Sequence, residues 1–320
     1  MKTPRILCIS LAPALDRYLT VENFSVGGIT RSSQVEERAG GKCINMARAM
    51  KQLGGNPLVI AALGGHTGEA IEAAARAERI DIVATRIESC TRQCTVIWDP
   101  VQETLTQLSE NWNQITMSEW AAFIELVTKH VKQSSFEAAA FSGRMFPSVP
   151  SAEVASLVEI MNEHNLPSYV DAADVTLGAL LAAKPTGVKI NHEEASAYLG
   201  IPINTVEDAA KSCKEIVAGG VASCVITLGA RGAVGATATE AYYVSSDDHG
   251  PWAVGSGDAF FGAMIVNRVK GASWLDTMTA GVAAGTANAH QQIAGLLDCE
   301  RFDKSLKEIH IAHLRGVPSS

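Results

Sequence analysis

Apolar residues along this chain gather in short unbroken runs, separated by longer stretches with helical spacing. Residues 5–11, 57–63, 136–141, 167–171, 188–190 and 221–228 are such runs. They are too short for helices and apolar without alternation, which predicts strands covered on both faces. Between them, residues 45–53, 69–78, 117–132, 151–164, 176–183, 192–199, 205–218, 258–269 and 273–290 space their apolar positions as helices do. Glycines mark the joints. Gly40-Gly41 opens the first helix and Gly54-Gly55 closes it, while Gly229 to Ala233 turns a buried strand back into a hairpin that runs to about residue 244. From residue 136 onward strands and helices alternate, the signature of a mainly parallel sheet covered by helices.

Two segments break this rhythm. In residues 14–38, Val21, Phe24 and Val26 are separated by polar residues. Residues 82–108 alternate and are rich in Thr, Val and Ile. The first reads as exposed strands or a flap and the second as strands, and both precede the regular alternation. They are expected to meet as a small separate sheet over one end of the larger one. No repeat or low-complexity linker divides the chain, so residues 1–320 are expected to form a single domain.

Composition narrows the function. The formal charge of -8 argues against a broad basic surface for nucleic acid but leaves room for one locally positive pocket. The seven cysteines are odd in number and scattered, and Cys8 and Cys224 lie in apolar runs, as buried thiols in a reducing compartment would. Cys90 and Cys94 lack the second pair or nearby histidine that zinc requires. The first apolar run is too short for a signal peptide and soon meets Asp16 and Arg17, and no segment has membrane-spanning length without charge. A cytoplasmic protein without membrane or nucleic-acid partners is expected.

The most informative segment is Gly255-Ser256-Gly257-Asp258-Ala259-Phe260-Phe261-Gly262. A glycine turn runs straight into a helix, so unpaired backbone N–H groups point outward and can hold an anion. Asp258 stands in the first turn. A carboxylate beside an anion-binding turn suits phosphoryl transfer: it accepts the proton of an attacking hydroxyl while the amides offset charge on the transferred group. Read by itself, the same acid also fits an ordinary helix N-terminus.

Two motifs together carry a family resemblance. Ala39-Gly40-Gly41-Lys42-Cys43-Ile44-Asn45-Met46-Ala47-Arg48 and Val254-Gly255-Ser256-Gly257-Asp258-Ala259-Phe260 match, in order, the two signatures of the ribokinase-like carbohydrate kinases of the phosphofructokinase B family. The chain resembles the 1-phosphofructokinase and tagatose-6-phosphate kinase branch over residues 5–300. The resemblance implies a three-layer α/β/α fold with a mainly parallel central sheet and a small β-sheet lid, the lid also making a homodimer contact. It implies ATP and Mg²⁺, with Asp258 as catalytic base and Gly255, Ser256 and Gly257 as the anion hole. Asp16 and Asn45 would hold sugar hydroxyls, with Gly40 and Gly41 admitting the sugar close to the backbone. Lys42 and Arg92 would hold a substrate phosphate, Ser142 and Arg144 would add contacts, and Arg31 would reach the partner's phosphate. Lys189, Thr227 and Gly229 would face the nucleotide, and Val254 would form a wall of the adenine pocket. Asn191 and Glu194 would organise Mg²⁺ through water.

Some positions depart from the pattern. Ala12 replaces a usual asparagine, Cys43 a glycine, Ile190 a proline, and Arg144 a small residue. Pro251-Trp252-Ala253 stands where a charged residue and a threonine are common, and residues 106–112 lack the usual acidic-asparagine and proline-glycine features. The chemical core is kept while the lid and the approach to the anion hole are altered. Three readings follow: a sugar-phosphate kinase, a kinase of an unphosphorylated sugar or nucleoside, and a non-catalytic binding protein on the same fold. A dehydrogenase fits poorly, because no early glycine-rich dinucleotide fingerprint follows the first strand.

Overall fold

A computed structural model describes residues 3–111, 114–172 and 175–314. Trp112, in one of the altered stretches, lies outside them. Fourteen strands and ten α-helices follow one another among the described residues. The first half holds β1 (Arg5–Ser10), β2 (Ala14–Thr20), β3 (Gln34–Gly40), α1 (Lys42–Gln52), β4 (Asn56–Leu63), α2 (Gly65–Ala77), β5 (Asp81–Arg86), β6 (Gln93–Asp99), β7 (Thr104–Ser109), α3 (Met117–Gln133), β8 (Ala138–Ser142) and α4 (Ser151–Glu163). The second holds β9 (Ser168–Asp171), α5 (Val175–Ala182), β10 (Gly187–Asn191), α6 (His192–Leu199), α7 (Val206–Ala218), β11 (Ser223–Thr227), β12 (Ala233–Thr237), β13 (Ala241–Ser245), α8 (Ser256–Val269), α9 (Trp274–Asn288), α10 (Cys299–Glu308) and β14 (His310–His313).

Ten strands form the large sheet in the order β14-β13-β12-β11-β10-β9-β8-β1-β4-β5. The run from β11 to β5 is parallel, and the last three strands at the other end are antiparallel. Helices cover both faces, as the unbroken apolar strands require. On one side, Ile6, Cys8, Val59 and Ala61 pack with Met46, Met50, Phe261 and Ile265 of α1 and α8. On the other, Leu7, Ile9 and Ile60 pack with Trp120, Phe123, Leu157 and Met161 of α3 and α4. The order turns around β1, which has β4 on one flank and β8 on the other. Chain entering and leaving such a turnaround leaves a crevice at the carboxyl ends of the strands. Ser10, Ser142 and Asp171 stand there side by side in register, with Asn191 and Thr227 along the same edge.

The lid is a four-stranded sheet, β3-β2-β6-β7. Its membership corrects the expected insert at 82–108. Residues 81–86 form β5 and pair in parallel with β4 at the edge of the large sheet. The cause is visible in the packing: Ile82 and Ala84 join one helical layer while Val83 joins the other, so this strand is covered on both faces. Within the segment 14–38, residues 21–33 form a loop, and Val26 and Ile29 in it are almost wholly exposed. The C-terminal segment contributes β14, an edge strand that its local pattern did not foretell. No helix among the described residues is long and apolar enough to cross a membrane.

Candidate active site

Two glycine turns build the centre of the crevice. At the first, β3 ends and α1 begins. A Cβ on Gly40 would lie 2.1 Å from Cγ of Asp16, and one on Gly41, at φ +90°, would lie 2.5 Å from the Ala12 carbonyl oxygen. Both must be glycine for Asp16 to fold back over the start of α1, where it accepts a hydrogen bond from the Gly41 N–H. At the second turn Gly255 adopts the left-handed conformation at the N-cap of α8, and a Cβ there would strike Ala294. That turn sets Asp258 in the first turn of a buried helix.

Asp258 is almost fully enclosed, and Asn45 Nδ2 donates to its Oδ2 at 3.0 Å. The Asn45 Oδ1 accepts from Arg48 at 3.1 Å, so the amide is fixed from both ends. In the structure, then, Asn45 holds Asp258. Burial pushes the Asp258 carboxyl up to about 6, with Asp171 adding to the rise and Lys42, Asn45 and Lys189 opposing it. Asp16 is likewise pushed up to about 6 by burial, against the pull of Arg48, Arg92 and the Gly41 amide. The Asp258 carboxylate adds to the rise of Asp16.

Beside them runs a chain of alternating charge. Asp171 is fully buried at the end of β9. Its Oδ1 lies 3.3 Å from Lys42 Nζ and its Oδ2 lies 3.0 Å from Lys189 Nζ. Burial alone would raise Asp171, but the two lysines hold it below the usual carboxylate range. Lys42 is raised above its ordinary value, chiefly by Asp171, and also meets Glu194 Oε1 at 3.6 Å. Lys42 therefore belongs to this chain of charge and is not among the residues that line the crevice with Arg92. A buried carboxylate at the end of β9 must be compensated, and Lys42 is one of the two cations that do so. Lys189 reaches the anion turn itself: its Nζ lies 3.0 Å from where a Cβ on Gly257 would sit.

Arg92 and Arg144 do converge. They line one narrow crevice, too tight for a water molecule, with Leu11, Ala12, Pro13, Met145 and Phe146. Ser142 is buried close by in sequence, and its Oγ has no hydrogen-bond partner among the described residues. Arg31 is exposed in the loop between β2 and β3. Beside the glycine turn, a cleft of about 250 Å³ is lined by Thr227, Gly229, Ser256, Gly257, Phe260 and Val282, among others. Val254 is not on its wall; Ala253 lines it in that stretch. Asn191 and Glu194 form a reciprocal cap on α6, Asn191 Oδ1 accepting from the Glu194 N–H and Glu194 Oε2 from the Asn191 N–H. The sequence reading missed Asp171 and Arg48. Arg48 spans Asn45, Glu78 and the carbonyls of Ala39 and Ala294, tying the two glycine turns together. The signal for Asp171 was its position: an acid closing a buried strand at the same edge as Asn191 and Thr227.

A proton acceptor set among cations and outward backbone amides serves the transfer of a phosphoryl group to an alcohol. The chain belongs to the pfkB family of carbohydrate kinases, whose family model matches residues 3–297, and it is an ATP-dependent carbohydrate kinase. A tagatose-6-phosphate kinase of Staphylococcus epidermidis is 25% identical over 312 residues, covering 96% of this chain and 99% of its own. A 1-phosphofructokinase of Bacillus subtilis is 26% identical, covering 97% and 100%. Among solved structures, the Escherichia coli phosphofructokinase-2 in complex with potassium superposes with a TM-score of 0.87 at 26% identity, covering 96% of this chain and 99% of that one. The fold is ribokinase-like.

Proposed function

We propose that the protein transfers the terminal phosphoryl group of ATP to a hydroxyl of a sugar phosphate, as the names of its relatives suggest. The observation that carries this reading is that Arg92 and Arg144 border the same narrow crevice, beside Ala12 and Pro13 at the sugar side of the site. Arg92 is also close enough to lower the pKa of Asp16. Two guanidinium groups at one end of a sugar pocket suit a phosphate. From there the groups follow in functional order. Asp16 accepts from sugar hydroxyls. Asp258 takes the proton of the attacking hydroxyl. The amides of 255–257 and Lys189 offset charge on the moving group, and the cleft of about 250 Å³ takes the nucleotide. Mg²⁺ bound with the phosphates would neutralise part of their charge. Glu194 would help to hold a hydrated cation through Oε1, which the α6 cap does not use and which faces Lys42 at 3.6 Å, while Asn191 serves to hold Glu194 in place.

A homodimer through the lid is part of this reading, as is a cytoplasmic, reducing setting for the seven free thiols. The lid has two faces. One carries Asp16 and Tyr18 toward the body. The other places Val35, Leu19 and Ile97 in one cross-strand row, with Val35 and Leu108 about half exposed or more. Val26 and Ile29 project from the neighbouring loop, and Arg31 follows them. A second lid would cover this apolar surface. The test is ADP release from Mg-ATP with tagatose 6-phosphate, fructose 1-phosphate, fructose 6-phosphate, fructose, ribose and nucleosides, run beside light scattering. Turnover confined to the unphosphorylated acceptors overturns the substrate class, and a monomer at assay concentration with substrate present overturns the dimer.

A further inference from the structure

Trp252 stands three residues before Gly255, in the stretch where the chain departs from its family. Its side chain is buried, yet it belongs to none of the body's main cores. It packs in a separate cluster with Tyr18 and Val96 of the lid, with Trp98, Leu105 and Ile293 against it. The Trp98 and Trp252 rings are tilted at 44° with centroids 4.8 Å apart. This cluster is the seam between the lid and the loop that leads into the anion turn.

The seam is tied to the nucleotide cleft on the body side. Gly250 and Ala253, on either side of Trp252, both line the cleft. The Trp252 N–H donates to the Ala289 carbonyl at 3.0 Å, and Ala289 lines the cleft as well. Gly250 is pressed so closely on that carbonyl that a Cβ there would lie 1.9 Å from it. A second tie runs alongside. The Ala294 N–H donates to Tyr18 Oη at 3.1 Å, and Ala294 abuts Gly255, the residue that starts the anion turn. Tyr18 is two residues from Asp16 on the same face of β2. One aromatic cluster thus touches the sugar-side sheet, the cleft wall and the support of the anion turn.

We infer that Trp252 is a positioning residue that couples nucleotide binding to the seating of the lid. This rests on the kinase reading above. A nucleotide filling the cleft fixes the 248–253 wall, the wall fixes the Trp252 ring, and the ring fixes β2 and β6 through Tyr18 and Trp98. Coupling is reciprocal, so a seated lid also favours nucleotide. Trp252 touches no reacting atom in this scheme. It brings Asp16, on the lid, and the 255–257 amides, on the body, into place together.

The test uses the whole chain and Mg-AMP-PNP, a nucleotide that needs no knowledge of the sugar. Hydrogen exchange is followed by mass spectrometry in β2 and β6. In the wild type, nucleotide slows exchange there about three- to tenfold, the scale of one well-placed aromatic pair. Trp252→Ala still binds Mg-AMP-PNP, but exchange in the lid no longer responds. Trp252→Phe restores most of the response. Trp98→Ala abolishes it from the lid side without altering any residue of the cleft, and it carries the test if Trp252→Ala does not fold. A merely structural tryptophan would change melting temperature in these variants and leave the response to nucleotide intact, which overturns the inference. Failure of wild type to bind Mg-AMP-PNP overturns the kinase reading and this inference with it.

Discussion

Replacing Asp258 by Asn should make the enzyme slower and the protein more stable, and the second effect should depend on pH. Asn nearly keeps the shape of the side chain and can still accept the Asn45 hydrogen bond, now 3.0 Å long to Oδ2. It removes the proton acceptor, so kcat should fall about 10²–10⁴-fold, while sugar and nucleotide affinities change far less. The stability change follows from burial. The Asp258 carboxyl is raised from 3.8 to about 6, so the folded protein binds this proton more tightly than the unfolded chain does. Its favourable contribution is complete below pH 3.8 and is lost as pH rises through about 6. At pH 8 the ionised, buried carboxylate therefore costs about 3 kcal/mol relative to an ordinary one. Asp258→Asn should recover about 1–3 kcal/mol at pH 8, seen as a melting temperature several degrees higher, and nothing near pH 4. Single-turnover phosphoryl transfer and thermal melts across pH 4–8 measure both effects. Near-normal turnover with both ligands bound would refute the base assignment. A stability gain equal at pH 4 and pH 8 would refute the electrostatic account.

Three further outcomes follow from the site. The wild-type kcat/KM should rise with pH through about 6 and then level off, because Asp16 and Asp258 both have to ionise; a profile flat from pH 5 to 8 would contradict this. Arg92→Ala and Arg144→Ala should each raise KM for the phosphosugar by about 2–4 kcal/mol in equivalent free energy, and leave an unphosphorylated acceptor nearly unchanged; equal losses on both acceptors would assign the arginines to structure. Gly40→Ala places a Cβ 2.1 Å from the Asp16 carboxyl carbon and should raise sugar KM about tenfold or more without altering nucleotide affinity, as isothermal titration with each ligand would show.

The layered architecture and the turn before Asp258 were legible in the sequence because both are local signals: unbroken apolar runs, helical spacing, and a glycine turn that only a special backbone conformation requires. What escaped depends on partners far away in the chain. β5 reads like its lid neighbours until β4 and two helical layers enclose it. β14 carries little apolar pattern, since all of its residues are exposed and only pairing with β13 makes it a strand. Lys42 sits in a motif next to Asn45, and nothing nearby says that its ammonium turns toward Asp171, 129 residues on. Val254 and Ala253 are adjacent apolar residues, and which one faces the cleft is decided by how the preceding loop is strapped to the end of α9.

Asp171 has a further consequence for how the enzyme meets salt and stray anions. With no ligand bound, Lys42 and Lys189 already have a counter-ion built into the protein, at 3.3 and 3.0 Å. A polyphosphate that reached them would share them with a resident carboxylate and would not find two bare ammonium groups. Its affinity should fall less steeply with ionic strength than two unpaired lysines would dictate. A single inorganic phosphate or sulfate, bringing only local charge, gains little from such a divided pair. Selectivity then rests with groups that a complete nucleotide reaches all at once, from the glycine turn to the far end of the cleft.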